Sequence, residues 1–215
     1  MILPIVLFHT AQSNVALYDQ GLEKYGPQFL VEHSVNAALL ARAAGSPSLS
    51  ADLATDVRDQ MLSESRGGSL ICTCSTLGPI ADILASEGHN MLRSDAILAD
   101  VAVQRGGRIA VLYTVESTAK ATRDVFDRSR DNRSTDTELS YYLVPGAWDW
   151  FLNGEPKAYV ETIAGFANTL DDVDTIVLAQ SSMSPAAVIL RSSKPKVLDP
   201  VGAVAQYISE HSPQA

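Results

Sequence analysis

The chain has 215 residues, 46% hydrophobic and 19% charged, with a formal net charge of -9 and a pI near 4.8. That length and apolar share suit one large or two small globular domains with a real core, and they exclude a disordered chain. The acidity argues against a nucleic-acid partner and an anionic membrane surface, and any anionic ligand must be held by local N–H and hydroxyl donors.

Apolar β-rich runs alternate with helical patterns along the whole length, which predicts an α/β fold with parallel sheets. Ile2 to Phe8 is the first strand; it is short, with no basic residue ahead of it, and does not read as a signal peptide. A Gly- and Pro-containing loop follows, then a second strand over Gln28 to Val35. Ser50 to Ser63 is an amphipathic helix with Leu53, Val57 and Met61 on one face and Ser50 as its N-cap. Leu70 to Cys74 is a strand, and Pro79 to Ser86 a helix with proline at its favoured start. Strands over Arg108 to Thr114 and Glu138 to Val144 flank a helix over Ser117 to Arg130. The polar stretch Asp127 to Asp136 reads as a solvated helix end and loop. A long helix covers Pro156 to Leu170, followed by a strand over Asp174 to Ala179 and a helix over Pro185 to Arg191. A short strand, Lys196 to Leu198, and a helix over Val201 to Glu210 close the chain. No run approaches the length that spans a bilayer.

Both cysteines lie in Ile71-Cys72-Thr73-Cys74-Ser75-Thr76, where a strand runs into a helix. Unpaired N–H groups and the helix dipole favour a thiolate there, which makes Cys74 the candidate reactive group. The alternative is that both cysteines are small buried hydrophobes of a core strand. At i, i+2 on one strand they would form only a strained disulfide, so a reducing cytoplasm is the expected compartment. The histidines, His9, His33, His89 and His211, show no metal-ligand spacing, and no nucleotide-binding motif is present. His9 stands apart because it ends the first strand, on the sheet edge expected to carry Cys74. It could act there as a base or donor, or it could be a polar loop residue.

Two more strands end in hydroxyl-rich turns that open helices: Thr114 with Ser117 and Thr118, and Gln180-Ser181-Ser182. In open parallel sheets ligands bind beyond the carboxyl ends of the strands, and helix starts there offer N–H groups to anions. With Ser75 and Thr76, these turns are the candidate binding residues for one or two carboxylates. Read singly, each is also what N-capping would select.

In this order and at these separations the three junctions resemble the aspartate/glutamate racemase superfamily, which includes hydantoin racemase, maleate isomerase and arylmalonate decarboxylase. Cys74-Ser75-Thr76 looks like the family's first cysteine signature, and Arg108 to Thr114 with Ser117 and Thr118 looks like its middle strand and hydroxyl turn. Asp174 to Met183 resembles the second-cysteine strand, and Val197-Leu198-Asp199-Pro200 the closing segment. The resemblance implies two pseudo-symmetric α/β lobes with mainly parallel sheets and an active site between them. The first lobe would span residues 1–98, with 199–215 returning to it, and the second residues 99–198. It also implies a small carboxylate or amino-acid-like substrate, no organic cofactor or metal, and a tendency to form homodimers.

The chain departs from the family at one position, where Gln180 stands in place of the second cysteine. A glutamine amide does not titrate near neutral pH, and Ser181 would need an activating neighbour, so a two-thiol racemisation is disfavoured. With Cys74 alone, and His9 as the titratable partner, the expected activity is racemase- or isomerase-like. The alternatives are a single-cysteine decarboxylase of a malonate-like acid and a non-catalytic carboxylate-binding paralogue.

Overall fold

The computed structural model describes residues 3–26, 29–43, 49–133, 135–190 and 195–211. Ile2, Gln28 and Arg191, each an end of an expected element, lie outside them. In chain order the elements are β1 (Ile5–His9), α1 (Ser13–Glu23), β2 (Val31–Val35), α2 (Ala37–Ala43), α3 (Ala51–Ser65) and β3 (Leu70–Cys72). There follow α4 (Gly78–Ser86), β4 (Met91–Arg93), α5 (Ser94–Arg105), β5 (Gly107–Tyr113), α6 (Ala119–Asp131) and β6 (Thr137–Leu143). The chain continues through α7 (Ala147–Leu152), α8 (Pro156–Ala167), β7 (Thr175–Leu178), α9 (Ser184–Leu190), β8 (Lys196–Leu198) and α10 (Pro200–His211). Among the described residues no helix is long and apolar enough to cross a membrane.

The fold is α/β. Two compact units divide the chain, Met1–Ser94 with Val204–Ala215, and Asp95–Ala203. Among the described residues the first holds a four-stranded parallel sheet of order β2-β1-β3-β4. The second holds one of order β6-β5-β7-β8, also parallel, so the same winding occurs twice. Strand composition explains the order. Strands covered on both faces are continuous apolar runs, and Leu-Ile-Cys of β3 and Thr-Ile-Val-Leu of β7 are buried throughout. The outer strands β2 (Val-Glu-His-Ser-Val) and β6 (Thr-Glu-Leu-Ser-Tyr-Tyr-Leu) mix polar with apolar residues and are only half-buried.

Each unit has its own core. Phe8, Leu53, Val57, Met61, Leu70 and Leu84 pack together in the first, and Leu112, Tyr159, Ile163, Ile176, Leu178 and Met183 in the second. The helix α3 follows its sequence pattern: Leu53, Val57 and Met61 are its buried face, and the Ser50 hydroxyl accepts from Leu53 N–H at 3.3 Å. The loop expected after the first strand instead contains α1. That helix starts at Gln12 with no side-chain cap and no acidic residue in its first turn, so the usual start signals are missing.

At the start of α4 the backbone passes so close to β4 that only glycine fits. A Cβ on Gly78 would stand 2.6 Å from the Arg93 guanidinium carbon. Arg93 is 3% exposed and donates to Asp82 at 2.8 Å, so it can withdraw only by giving up that partner. Gly78→Ala is therefore expected to lower unfolding stability by about 1–3 kcal/mol through overpacking. Urea denaturation checks this, and an unchanged midpoint would mean that Arg93 has room to move.

Candidate functional site

The parallel register places chemistry at the carboxyl ends of the two central strands of each sheet. In the first unit Phe8 pairs with Cys72, and the Thr73 N–H donates to the Phe8 carbonyl at 2.9 Å. In the second Leu112 pairs with Leu178, and the Ala179 N–H donates to the Leu112 carbonyl, also at 2.9 Å. Thr73 and Ala179 thus occupy matching positions, and the next residues, Cys74 and Gln180, match as well. Each starts a tight turn into a helix: the Cys74 carbonyl accepts from Leu77 and Gly78, and the Gln180 carbonyl from Met183.

In the first unit Cys74 is 9% exposed, is not in a disulfide, and borders the core cluster. The Cys72 thiol donates to the Cys74 carbonyl at 3.4 Å and so braces the same turn. Ser75 and Thr76 are half-buried. Leu77 precedes α4 and Thr118 precedes α6, and neither makes a side-chain cap bond.

His9 is fully buried, and both its ring nitrogens are engaged. Nδ1 lies 2.7 Å from Thr73 Oγ1 and Nε2 lies 2.8 Å from His33 Nδ1. His33 Nε2 in turn lies 3.1 Å from Asp19 Oδ1. Parallel strands with Val35 opposite His9 put His33, two residues earlier, on the same face as His9. The Tyr18 ring covers His9 at 5.3 Å. Burial, and then the neighbouring His33, pushes the His9 pKa down to about 3. His33, Asp19 and Thr73 were not singled out by the sequence. The signal available was the pairing of two histidine-bearing strands, but Asp19 lay in the segment read as loop.

In the second unit Thr114, Thr118 and Gln180 meet. Gln180 Oε1 accepts from the Thr114 N–H at 2.8 Å and from the Thr114 hydroxyl at 2.7 Å. A backbone N–H can only donate, so the amide oxygen faces Thr114 and Nε2 points the other way. Nε2 has a 3.5 Å contact to Thr118 Oγ1. The Thr114 proton is committed to Gln180, so the Tyr159 hydroxyl, 3.2 Å away, donates to Thr114 and accepts from Ser182 at 2.8 Å. Burial raises the Tyr159 pKa, which keeps it a donor. Ser117 is exposed and Ser181 buried. Among the described residues no cluster of three His, Cys, Asp or Glu side chains could hold a metal.

No family model matches the chain, and no curated protein matches it by sequence. Solved structures do. A glutamate racemase isoform from Bacillus anthracis superposes with a TM-score of 0.71 at 11% identity, over 97% of this chain and 80% of that one. An aspartate racemase from Picrophilus torridus gives 0.70 at 14% identity, over 100% and 96% of the two chains. An allantoin racemase from Klebsiella pneumoniae gives 0.62 at 15%, over 97% and 86%. At these identities the likeness is one of fold: the chain has the fold of these racemases, as its sequence resemblance implied.

The buried histidine generates a pH test. The folded protein keeps His9 neutral down to about pH 3, whereas the unfolded chain protonates it near its ordinary 6.5. Between those values the unfolded state binds more protons, so stability is lost as pH falls below 6.5, by at most about 1.4 kcal/mol per pH unit from this group. His9→Asn should flatten the stability profile between pH 6.5 and 5 by up to that slope. Parallel profiles from urea titrations of the two proteins would rule out a buried neutral His9.

Proposed function

We propose that this chain is an enzyme of the racemase/isomerase class acting on a small carboxylate or amino-acid-derived substrate, with Cys74 as its one catalytic thiol. The observation that carries the reading is the register match of Cys74 with Gln180 in two sheets of the same order, within the fold of glutamate, aspartate and allantoin racemases.

On this reading the Cys74 thiolate removes a proton alpha to the substrate carboxylate, and the resulting thiol returns one: to the same face for exchange, or to the other once the planar enolate has turned, which gives inversion. Gln180 cannot take the part of a second acid or base. With its oxygen held by Thr114, its amide N–H2 is the group suited to a carboxylate or to the charge of an enolate. Thr118, Ser75 and Thr76 supply neutral donors and acceptors of the same kind, as Ser117, Ser181 and Ser182 were expected to do. His9, with both nitrogens engaged, is assigned to holding Thr73 rather than to moving protons. The same single thiol would serve a decarboxylase as the acid that protonates its enolate.

A second reading is favoured by the burial of Cys74 against the core: a carboxylate-binding protein without turnover. One experiment separates the two. Small mono- and dicarboxylates and amino acids are screened by thermal shift, where a ligand at about 100 times its Kd adds about 2.7 kcal/mol. Each hit is then incubated in D2O and its α-proton, configuration and carbon dioxide release are followed. The enzyme reading expects chemistry on at least one hit, abolished by Cys74→Ser while the thermal shift persists. Binding with no change in any hit would leave only the binder.

A further inference from the structure

We propose that His33 and Asp19 are positioning residues for the Cys74 turn: the Asp19–His33 pair fixes His9 as its Nδ1–H form, and that ring locks the Thr73 hydroxyl onto the Phe8 carbonyl. The assignment rests on the reading of Cys74 as the reacting thiol, but its bond directions follow from the contacts and burial of His9.

The directions can be worked out from the inner end. The Phe8 carbonyl can only accept, so the Thr73 hydroxyl, 3.1 Å away, spends its one proton there. Thr73 Oγ1 must then accept from His9, which places a proton on His9 Nδ1. His9 is buried and neutral, so its Nε2 is a bare lone pair and accepts from the His33 Nδ1–H. The remaining His33 nitrogen, Nε2, lies 3.1 Å from an Asp19 carboxylate oxygen. From His33 inward, every link therefore points toward Phe8.

That polarity matters for Cys74. Thr73 is clamped twice to the Phe8 carbonyl, through its N–H at 2.9 Å and its hydroxyl at 3.1 Å. Cys74 is the next residue, and the direction in which its chain leaves the strand is set by that clamp. Were His9 to carry its proton on Nε2, the Thr73 hydroxyl would turn to donate to Nδ1 and release Phe8. Without the His33 donor, buried Nε2 is unpaired in either form, and His9 loses the contact that selects Nδ1–H. His33 supplies the donor that prevents that release of Phe8. Asp19, half exposed on α1, holds the His33 ring by its other nitrogen, Nε2.

The test uses 15N spectra of the histidine rings and the rate of Cys74 alkylation by iodoacetamide, neither of which needs a substrate. Wild type should show His9 protonated at Nδ1 and bare at Nε2. His33→Leu should shift His9 away from that form and change the alkylation rate by about fivefold or more, the scale of one lost hydrogen bond. His33→Asn, whose amide N–H2 can take the place of the Nδ1–H, should restore both. A wild-type His9 protonated at Nε2 would overturn the proposal. So would alkylation unchanged in His33→Leu, or lost equally in His33→Leu and His33→Asn. If Cys74→Ser left turnover of a discovered substrate intact, the functional reading would fall while these two readouts still stood.

Discussion

One backbone hydrogen bond, made once in each sheet, determines where Cys74 and Gln180 leave their strands. The Thr73 N–H on the Phe8 carbonyl and the Ala179 N–H on the Leu112 carbonyl are the last links between paired central strands. Beyond each, the chain has nothing further to pair with in the ladder and turns into a helix. The first residue past the link, Cys74 or Gln180, therefore leaves the sheet at its carboxyl edge, where open parallel sheets bind ligands. Buried strands on both sides of the link hold it in place, because β1, β3, β5 and β7 are apolar nearly throughout.

From that shared backbone the two units diverge in polar chemistry. The first supports its turn with an inward chain of imidazoles that ends on a carbonyl. The second uses neutral hydroxyls, from Ser182 through Tyr159 and Thr114 to the Gln180 oxygen. In both, each donor and acceptor along the chain is matched, which is the condition under which buried polar groups stiffen a site rather than weaken it.

The sequence made the fold class and the first and third strands of each sheet readable, because Leu70 to Cys74 and Asp174 to Ala179 are apolar runs bounded by turn residues. It also made α3 readable, through its capped amphipathic pattern. Gln180 was legible as a departure because the surrounding strand and turn matched a known motif. The helix α1 was hidden by its missing cap, and β4, Met-Leu-Arg, offers no apolar run bounded by turn residues. The imidazole chain was hidden for a different reason. His9, His33 and Asp19 come from three elements, and only the register of β1 on β2 puts the two histidines on one face. Histidine spacing along the chain carries no trace of that.

The same logic bears on what Gln180 changes. A thiolate at that position would accept a proton and repel an anion. The amide, with its oxygen tied to Thr114 by two hydrogen bonds, can only present N–H groups. For a chain of net charge -9, a carboxylate ligand has to be met by such neutral donors, since no field of the whole protein draws it in. The Gln180 amide therefore has no proton to exchange near neutral pH and offers only N–H donors. Matching strand ends of the two units thus carry a thiol in one and an amide in the other.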